Sequence, residues 1–300
     1  MDETISLKII VEKIEVQNPL HAKKLKENIR TLDSNYQHWA KSFLQKTEKF
    51  LKKTNVSLDD CITFYLKKVN DSIFEMVNFF QTGKYRYNSF DEVNKRVYSD
   101  PDVMRYNMLS LLLSQVLWKQ HYIIFDFFKK HISEYVESKS YLEIGGGHGL
   151  FINEAAKLFN TSCNFELLDI SETSIEIAKS FIDKKNITYY HMDIFEFSSK
   201  RLFDFISMGE VLEHVEKPKD LLKKVKSLLK PEGVFFITVP TNAPDIDHIY
   251  LFNNSEEIRT LLKESGFKID YEIEVSTEKI SVDDAHKRKI CVIYAAFLSF

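Results

Sequence analysis

Four of the chain's eight glycines fall within five residues, at Gly145, Gly146, Gly147 and Gly149. They follow the apolar stretch Tyr141-Leu142-Glu143-Ile144 and precede Leu150-Phe151-Ile152-Asn153-Glu154-Ala155-Ala156, a run that suits a helix. A strand that turns sharply into a helix with its backbone against a ligand needs residues without a Cβ and with access to positive φ. The cluster therefore predicts a strand, a glycine turn and a helix, the nucleotide-binding corner of a doubly wound α/β domain.

The sequence around that corner has the matching rhythm. Strands are expected at 140–145, 164–169, 187–192, 204–209 and 233–239, separated by helices near 149–159, 172–184, 217–229 and 256–265. Short connections between alternating elements imply a parallel sheet with helices on both faces. Phe267 to Val275 and Lys289 to Phe300 read as two strands with no helix between them, a closing hairpin that leaves the last strand antiparallel to the rest. The predicted fold is α/β, a seven-stranded Rossmann-like sheet in residues 139–300, preceded by an all-α domain in residues 1–138.

That first region has apolar residues at helical spacing and almost no strand signal. Ser57-Leu58-Asp59-Asp60 can cap a long helix carrying Ile62, Phe64, Tyr65, Val69, Ile73, Phe74, Val77 and Phe80, ended near Gly83. Asp100-Pro101 is a second start signal, since proline suits the first helical turn. Met104, Met108, Leu111, Leu112, Gln115 and Val116 follow, then an aromatic helix with Tyr122, Phe125, Phe127 and Phe128. Polar residues interrupt the apolar run from Met108 to Phe128, so it reads as a buried helix or helix pair and no membrane span is expected. The region is expected to lid a substrate pocket, with Tyr98, Tyr106, Trp118 and Tyr122 as candidate lining residues, or to support a homodimer.

A net charge of −3 gives no general electrostatic reason to bind nucleic acid. Lysines between Lys23 and Lys53 are interspersed with Glu27, Asp33 and Glu48, as on a solvated helix face. Cys61, Cys163 and Cys291 are too few and too scattered for a disulfide framework or a zinc site. Met1-Asp2-Glu3 does not begin a secretory signal, so a reducing cytoplasm is the expected location.

Gly145-x-Gly147-x-Gly149 departs from the dinucleotide pattern, whose third glycine would stand where Leu150 is. Acidic residues at successive strand ends add to it: Glu143 before the turn, Asp169 ending Phe165-Glu166-Leu167-Leu168, and Asp193 after Tyr190-His191-Met192. Ligands of open α/β sheets bind at the carboxyl ends of strands, where all three would meet.

Over roughly residues 139 to 300 the chain resembles the class I S-adenosylmethionine-dependent methyltransferases. Glu143-Ile144-Gly145-Gly146-Gly147-His148-Gly149, Asp169, Asp193-Ile194, the stretch Phe203 to Val215 and Leu229-Lys230-Pro231-Glu232-Gly233 correspond in order to its motifs. The resemblance implies that S-adenosyl-L-methionine binds against Glu143, Gly145, Gly147, Gly149, Asp169, Ile170, Asp193, Ile194 and Gly209. Asp169 would accept hydrogen bonds from the ribose hydroxyls, Asp193 one from the adenine amine, and the Ile194 N–H would donate to the ring. Glu143 would shape the turn and help hold the cofactor's amino group. An NAD-linked dehydrogenase is the rival reading, which the glycine spacing and the second strand-end acid disfavour.

Glu210-Val211-Leu212-Glu213-His214 closes the fourth strand, and a helical turn there would put Glu210, Glu213 and His214 on one face. His248 follows the fifth strand at the same rim. Two carboxylates and two imidazoles make a candidate divalent site for magnesium, manganese or iron, oxygen ligands admitting the first and nitrogen favouring a transition metal. The arrangement resembles small-RNA 3′-end 2′-O-methyltransferases, with their Glu-x-x-Glu-His motif and later histidine, and ubiquinone-pathway O-methyltransferases. Without a metal, His214 or His248 would be the general base. The expected activity is methyl transfer to an oxygen of a small hydroxylated metabolite or sugar. The alternatives are RNA 2′-O-methylation and a catalytically inactive cofactor-binding regulator or partner protein.

Overall fold

In a computed structural model, residues 5–183 and 186–300 are described. Helices fill the first part: α1 (Leu7–Gln17), α2 (Pro19–Ile29), α3 (Ser34–Thr54), α4 (Leu58–Thr82), the short α5 (Phe90–Val93), α6 (Pro101–Leu117) and α7 (Lys119–Ile132). Both expected start signals act. The Ser57 hydroxyl accepts from the Asp60 N–H while the Asp60 carboxylate accepts from the Ser57 N–H, and Gly83 ends α4 in the left-handed region at φ 70°. The Asp100 carboxylate caps α6, with Pro101 at its first position. At Trp118 the backbone becomes extended, which resolves the apolar run into a helix pair. No helix among the described residues is long and apolar enough to cross a membrane.

The second part alternates β1 (Ser140–Ile144), α8 (Leu150–Leu158), β2 (Asn164–Asp169), α9 (Glu172–Phe181), β3 (Ile187–His191), β4 (Phe203–Gly209), α10 (Pro218–Leu228), β5 (Leu229–Thr241), α11 (Ser255–Glu264), β6 (Lys268–Ser276), α12 (Val282–Lys287) and β7 (Val292–Ser299). The helix expected over 172–184 ends at Phe181, and residue 184 lies outside the described residues. The strands form one seven-stranded sheet in the order β3-β2-β1-β4-β5-β7-β6. β7 is antiparallel to both neighbours, as the closing hairpin requires. One detail differs: the six-residue α12, capped by Ser281 and too short to show a helical period, stands between β6 and β7.

Successive residues of β1 point to opposite faces of the sheet. Tyr141 packs with Phe205, Phe236 and Phe297 under α7, α8 and α9, whereas Leu142 and Ile144 pack with Leu221, Val225 and Ile258 under α10 and α11. Phe128 of α7 lies 4.8 Å from Phe236 by ring centroids, so the last of the N-terminal helices is part of the sheet's own cover. The other N-terminal helices share a core with Leu150, Ile177 and Phe181 of α8 and α9. They thereby roof the carboxyl edge of the sheet, where β1 and β4 diverge.

α4 departs from its sequence pattern. Ile62, Tyr65 and Val69 are buried as expected, but Ile73, Phe74, Val77 and Phe80 are each more than half exposed. The second half of the helix stays buried on one side through Glu75 and Phe79 and leaves these four apolar side chains uncovered.

Candidate active site

At the carboxyl edge the glycine turn is held by backbone. Gly145 and Gly146 N–H donate to the Leu168 carbonyl at 2.8 and 3.3 Å, and Gly147 N–H donates to Asp169 Oδ2 at 2.8 Å. Gly145 has φ +64°, and a Cβ there would come within 2.4 Å of Val211 Cγ2. Gly147, at φ +51°, is different: its missing Cβ would meet only the flexible Met108 side chain, at 3.4 Å from Sδ, and it lines the cavity. Gly149 begins α8 without a side chain that could cap it. Glu143 does this from β1, accepting from the Ile152 N–H. Burial pushes the Glu143 carboxyl up to about 8.

Asp169 is buried, and its other oxygen accepts from the Ser171 N–H at 2.8 Å. Burial raises its carboxyl above the ordinary value. Asp193 forms a tight turn by accepting from the Phe195 N–H at 2.8 Å, and Ile194 beside it is buried. A cavity of about 1450 Å³ is lined by Glu143, Gly145, Gly147, Asp169, Ile170, Asp193, Ile194 and Gly209. Gly149 is not in its wall; it shapes the turn from behind, where a Cβ would strike Ile182.

The opposite wall carries Glu210, His214 and His248. The expected helical turn does not form there, because Glu210 is left-handed at φ 54° and only a 3₁₀ turn, Leu212–His214, precedes α10. The i, i+3 relation between Glu210 and Glu213 is therefore lost. Glu213 turns inward to complete burial, and both its carboxylate oxygens are without a hydrogen-bond partner. Its Oε1 lies 3.5 Å from His214 Nε2 and 4.0 Å from His248 Nε2. The other nitrogen of each ring is held by backbone: His214 Nδ1 is 3.0 Å from the Asp247 carbonyl and His248 Nδ1 is 2.5 Å from the Ala243 carbonyl. Ile249 and Tyr250 N–H donate to the Glu213 carbonyl, tying the two loops together.

Glu213, His214 and His248 offer ligand atoms within 4.8 Å of one another, a set that does not include Glu210. Two ligands each about 2.1 Å from one ion lie at most about 4.2 Å apart, and the 3.5 and 4.0 Å from Glu213 Oε1 to the two Nε2 atoms fall inside that limit. Carbonyl-anchored Nδ1 atoms are the usual arrangement behind metal-ligating imidazoles. Burial and the neighbouring Glu210 push the Glu213 carboxyl well up, the response of an acid that lacks a positive partner. Burial and His214 lower His248 to about 4, so its imidazole is neutral near pH 7 and offers a lone pair. Glu210, pushed up to about 7 by burial and Asp245, stands on the cavity wall.

Several residues around this wall escape sequence reasoning. Asp245 and Asp247 form a second group with His248. Asp245 pairs with the buried Lys68 of α4 at 2.7 Å, across 177 positions of sequence. Burial disfavours both charges, but each holds the other charged, Lys68 raised and Asp245 lowered. Tyr98 ends a π-helical turn, Asn94–Tyr98, and its hydroxyl lies 2.8 Å from His214 Nδ1. Asn107 Oδ1 and His148 Nε2 are buried without partners on residues that line the cavity. Of these, Tyr98 is among the expected lining residues and His148 belongs to the glycine motif; for Lys68, Asp245, Asp247 and Asn107 the sequence offers no signal beyond the Asp-x-Asp-His spacing of 245–248.

A model of the methyltransferase domain matches residues 118–272. The Ubiquinone biosynthesis O-methyltransferase of Coxiella burnetii (strain Dugway 5J108-111) is 32% identical over 140 residues, 44% of this chain and 57% of that protein. Malonyl-[acyl-carrier protein] O-methyltransferase 2 of Ilyobacter polytropus is 29% identical over 147 residues, 49% of this chain and 51% of the other. The matches thus span little more than half the length of these curated relatives. Among solved structures, N-methyltransferase NodS from Bradyrhizobium japonicum WM9 in complex with S-adenosyl-l-homocysteine superposes with a TM-score of 0.50 at 18% identity, covering 70% of this chain and 98% of that one. Mitomycin 7-O-methyltransferase MmcR gives 0.51 at 12% identity, over 77% and 68%. At such identities the likeness is one of fold.

Proposed function

We propose, from the premise that this chain belongs to the class I S-adenosylmethionine-dependent methyltransferases, as its match over residues 118–272 shows, that it methylates a hydroxyl oxygen of a small molecule with help from a divalent cation. The observation that carries the reading is Glu213: a fully buried carboxylate, both oxygens unpartnered, facing two imidazoles whose Nδ1 atoms are already engaged. A buried carboxylate without partners is costly, and a cation between it and the two Nε2 atoms removes that cost. One carboxylate with two imidazoles favours a transition metal such as manganese or iron over magnesium. When bound, such an ion lowers the pKa of a coordinated hydroxyl and fixes its direction.

S-adenosylmethionine supplies a methyl group on a sulfonium and leaves as S-adenosylhomocysteine. Asp169 holds its ribose, Asp193 and Ile194 its adenine, and Gly147, without a Cβ, lets its methionine part lie on the turn. Glu143 keeps α8 and the turn in register. The acceptor oxygen attacks the methyl carbon in line with the breaking carbon–sulfur bond, and its proton passes to Glu210, which stands on the cavity wall outside the ligand set with its carboxyl pushed up to about 7 by burial, and from there to solvent. Tyr98 orients the His214 ring. The helices of residues 1–138 close over the pocket and exclude water. O-methyltransferase names among the curated relatives agree with oxygen as the acceptor atom.

The test is methyl transfer from labelled S-adenosylmethionine to catechol and to aniline, in EDTA and after restoring manganese or iron. Product on catechol, lost in EDTA and regained with metal, is expected. Equal catechol turnover under both conditions sinks the metal, and transfer only to aniline sinks the acceptor atom.

A further inference from the structure

Of the cavity's volume of about 1450 Å³, a part extends beyond the glycine turn and the reaction centre along α4. Lys68, Val69, Ile73, Met76, Val77 and Phe80 all line it and recur at helical spacing, so they form one face. At 1.5 Å per residue that face runs about 18 Å. Its inner end, Lys68 and Val69, is buried, with Lys68 paired to Asp245 close to His248. Its outer end is apolar and open: Ile73, Val77 and Phe80 are 56%, 51% and 57% exposed. Leu20 of α2, 83% exposed, lines the same cavity. A row of large apolar side chains left to water, continuous with a reaction cavity and in line with its polar end, is a surface that a ligand covers.

We infer that the acceptor is an amphiphile, with a hydroxylated head at Glu213, His214 and His248 and an apolar tail several carbons long lying along Ile73, Val77 and Phe80. This rests on the proposed site of transfer for the head, while the tail is carried by α4 alone. Burying a methylene is worth about 0.8 kcal/mol, or roughly three- to fourfold in affinity.

The experiment uses the full chain with S-adenosylhomocysteine and manganese, and a series of 4-alkylcatechols from methyl to octyl. Calorimetry should give a dissociation constant that falls about threefold per methylene before it levels off. Ile73→Ser/Val77→Ser should flatten that slope. Phe74→Ser changes an equally exposed side chain outside the cavity wall, and should leave the slope intact. Affinity independent of chain length overturns the proposal. So does a slope unchanged in the double variant, or a double variant whose main effect is to dissociate an oligomer, since α4 would then cover a partner protein. Failure of the head reading is distinguishable: a normal slope with no methyl transfer to any catechol supports the tail and removes the catechol-like head. Methylation of 4-methylcatechol without a slope does the reverse.

Discussion

Glu213→Met should stabilise the metal-free protein while destroying its activity. The carboxylate is completely buried and neither oxygen has a partner, whereas methionine has a similar length and no group to satisfy. An unsatisfied buried polar group costs about 1–3 kcal/mol, and an apolar replacement of similar shape recovers much of that. For a chain of this size that corresponds to a rise of roughly 2–5 °C in melting temperature. A cation held by the native residue reverses the order. At a free concentration one hundred times its dissociation constant it adds about 2.7 kcal/mol to wild type and nothing to the variant. Thermal melts followed by near-ultraviolet circular dichroism, in EDTA and in manganese, should therefore cross: the variant melts higher without metal, and wild type gains on addition while the variant does not. Catechol methylation should be lost in the variant under both conditions. An equal metal-induced shift in both proteins would refute the assignment of Glu213 as a ligand. A variant several kcal/mol less stable in EDTA would show instead that the carboxylate is satisfied within the metal-free fold.

Asp169→Ala removes a charged acceptor for the ribose as well as the anchor of the Gly147 and Ser171 N–H groups. Hydrogen bonds to charged groups contribute about 1.5–3 kcal/mol, so calorimetry should find S-adenosylhomocysteine bound at least roughly tenfold more weakly, and unchanged affinity contradicts the assigned register. Tyr98→Phe deletes the hydroxyl beside His214 Nδ1 and should lower kcat about five- to tenfold with cofactor affinity intact; equal losses in both would make Tyr98 a merely structural residue. Glu143, at about 8 in the fold against an ordinary 4.5, binds its proton more tightly folded than unfolded. Its contribution to stability is thus full below about pH 4.5 and lost as pH rises toward 8, on the order of a few kcal/mol. Urea melts of wild type relative to Glu143→Gln should show that decline, and a pH-independent difference would argue against a protonated Glu143.

What could be read from the sequence depended on how local the cause was. The glycine turn is visible because positive φ at Gly145 and Gly147 is a requirement on single residues, and the central strands are visible because a sheet covered on both faces makes them short, continuously buried apolar runs between helices. β7 between β5 and β6 follows from a closing hairpin on a parallel sheet. α12 was missed because six residues are less than two helical turns. Apolar residues of α4 that another part of the chain covers, such as Val69 and Phe79, and those it leaves open, such as Ile73 and Phe80, share one pattern, and periodicity does not record the difference.

The candidate reaction centre shows the same division. Glu-x-x-Glu-His suggested a helical face, and the structure keeps Glu213 and His214 but separates Glu210 by putting it at φ 54°. A non-glycine residue held in that region costs of order 1–3 kcal/mol and persists where surrounding structure fixes it, here through hydrogen bonds from its N–H to the Thr238 carbonyl and hydroxyl. The strain has a geometric effect: a right-handed turn at 210 would leave Glu213 on the surface of a helix, whereas the kink sends it beneath the two imidazoles. The ion pair of Lys68 with Asp245 then fixes the His248 loop to α4, and Tyr98 fixes His214 from the π-helical turn. The helical roof therefore does more than cover a completed site. Two of the contacts that orient the imidazoles come from it, one from α4 and one from the π-helical turn, so α4 contributes both to the polar end of the cavity and to its apolar wall. An acceptor anchored along that helix would have its hydroxyl presented at a fixed distance from the reacting methyl.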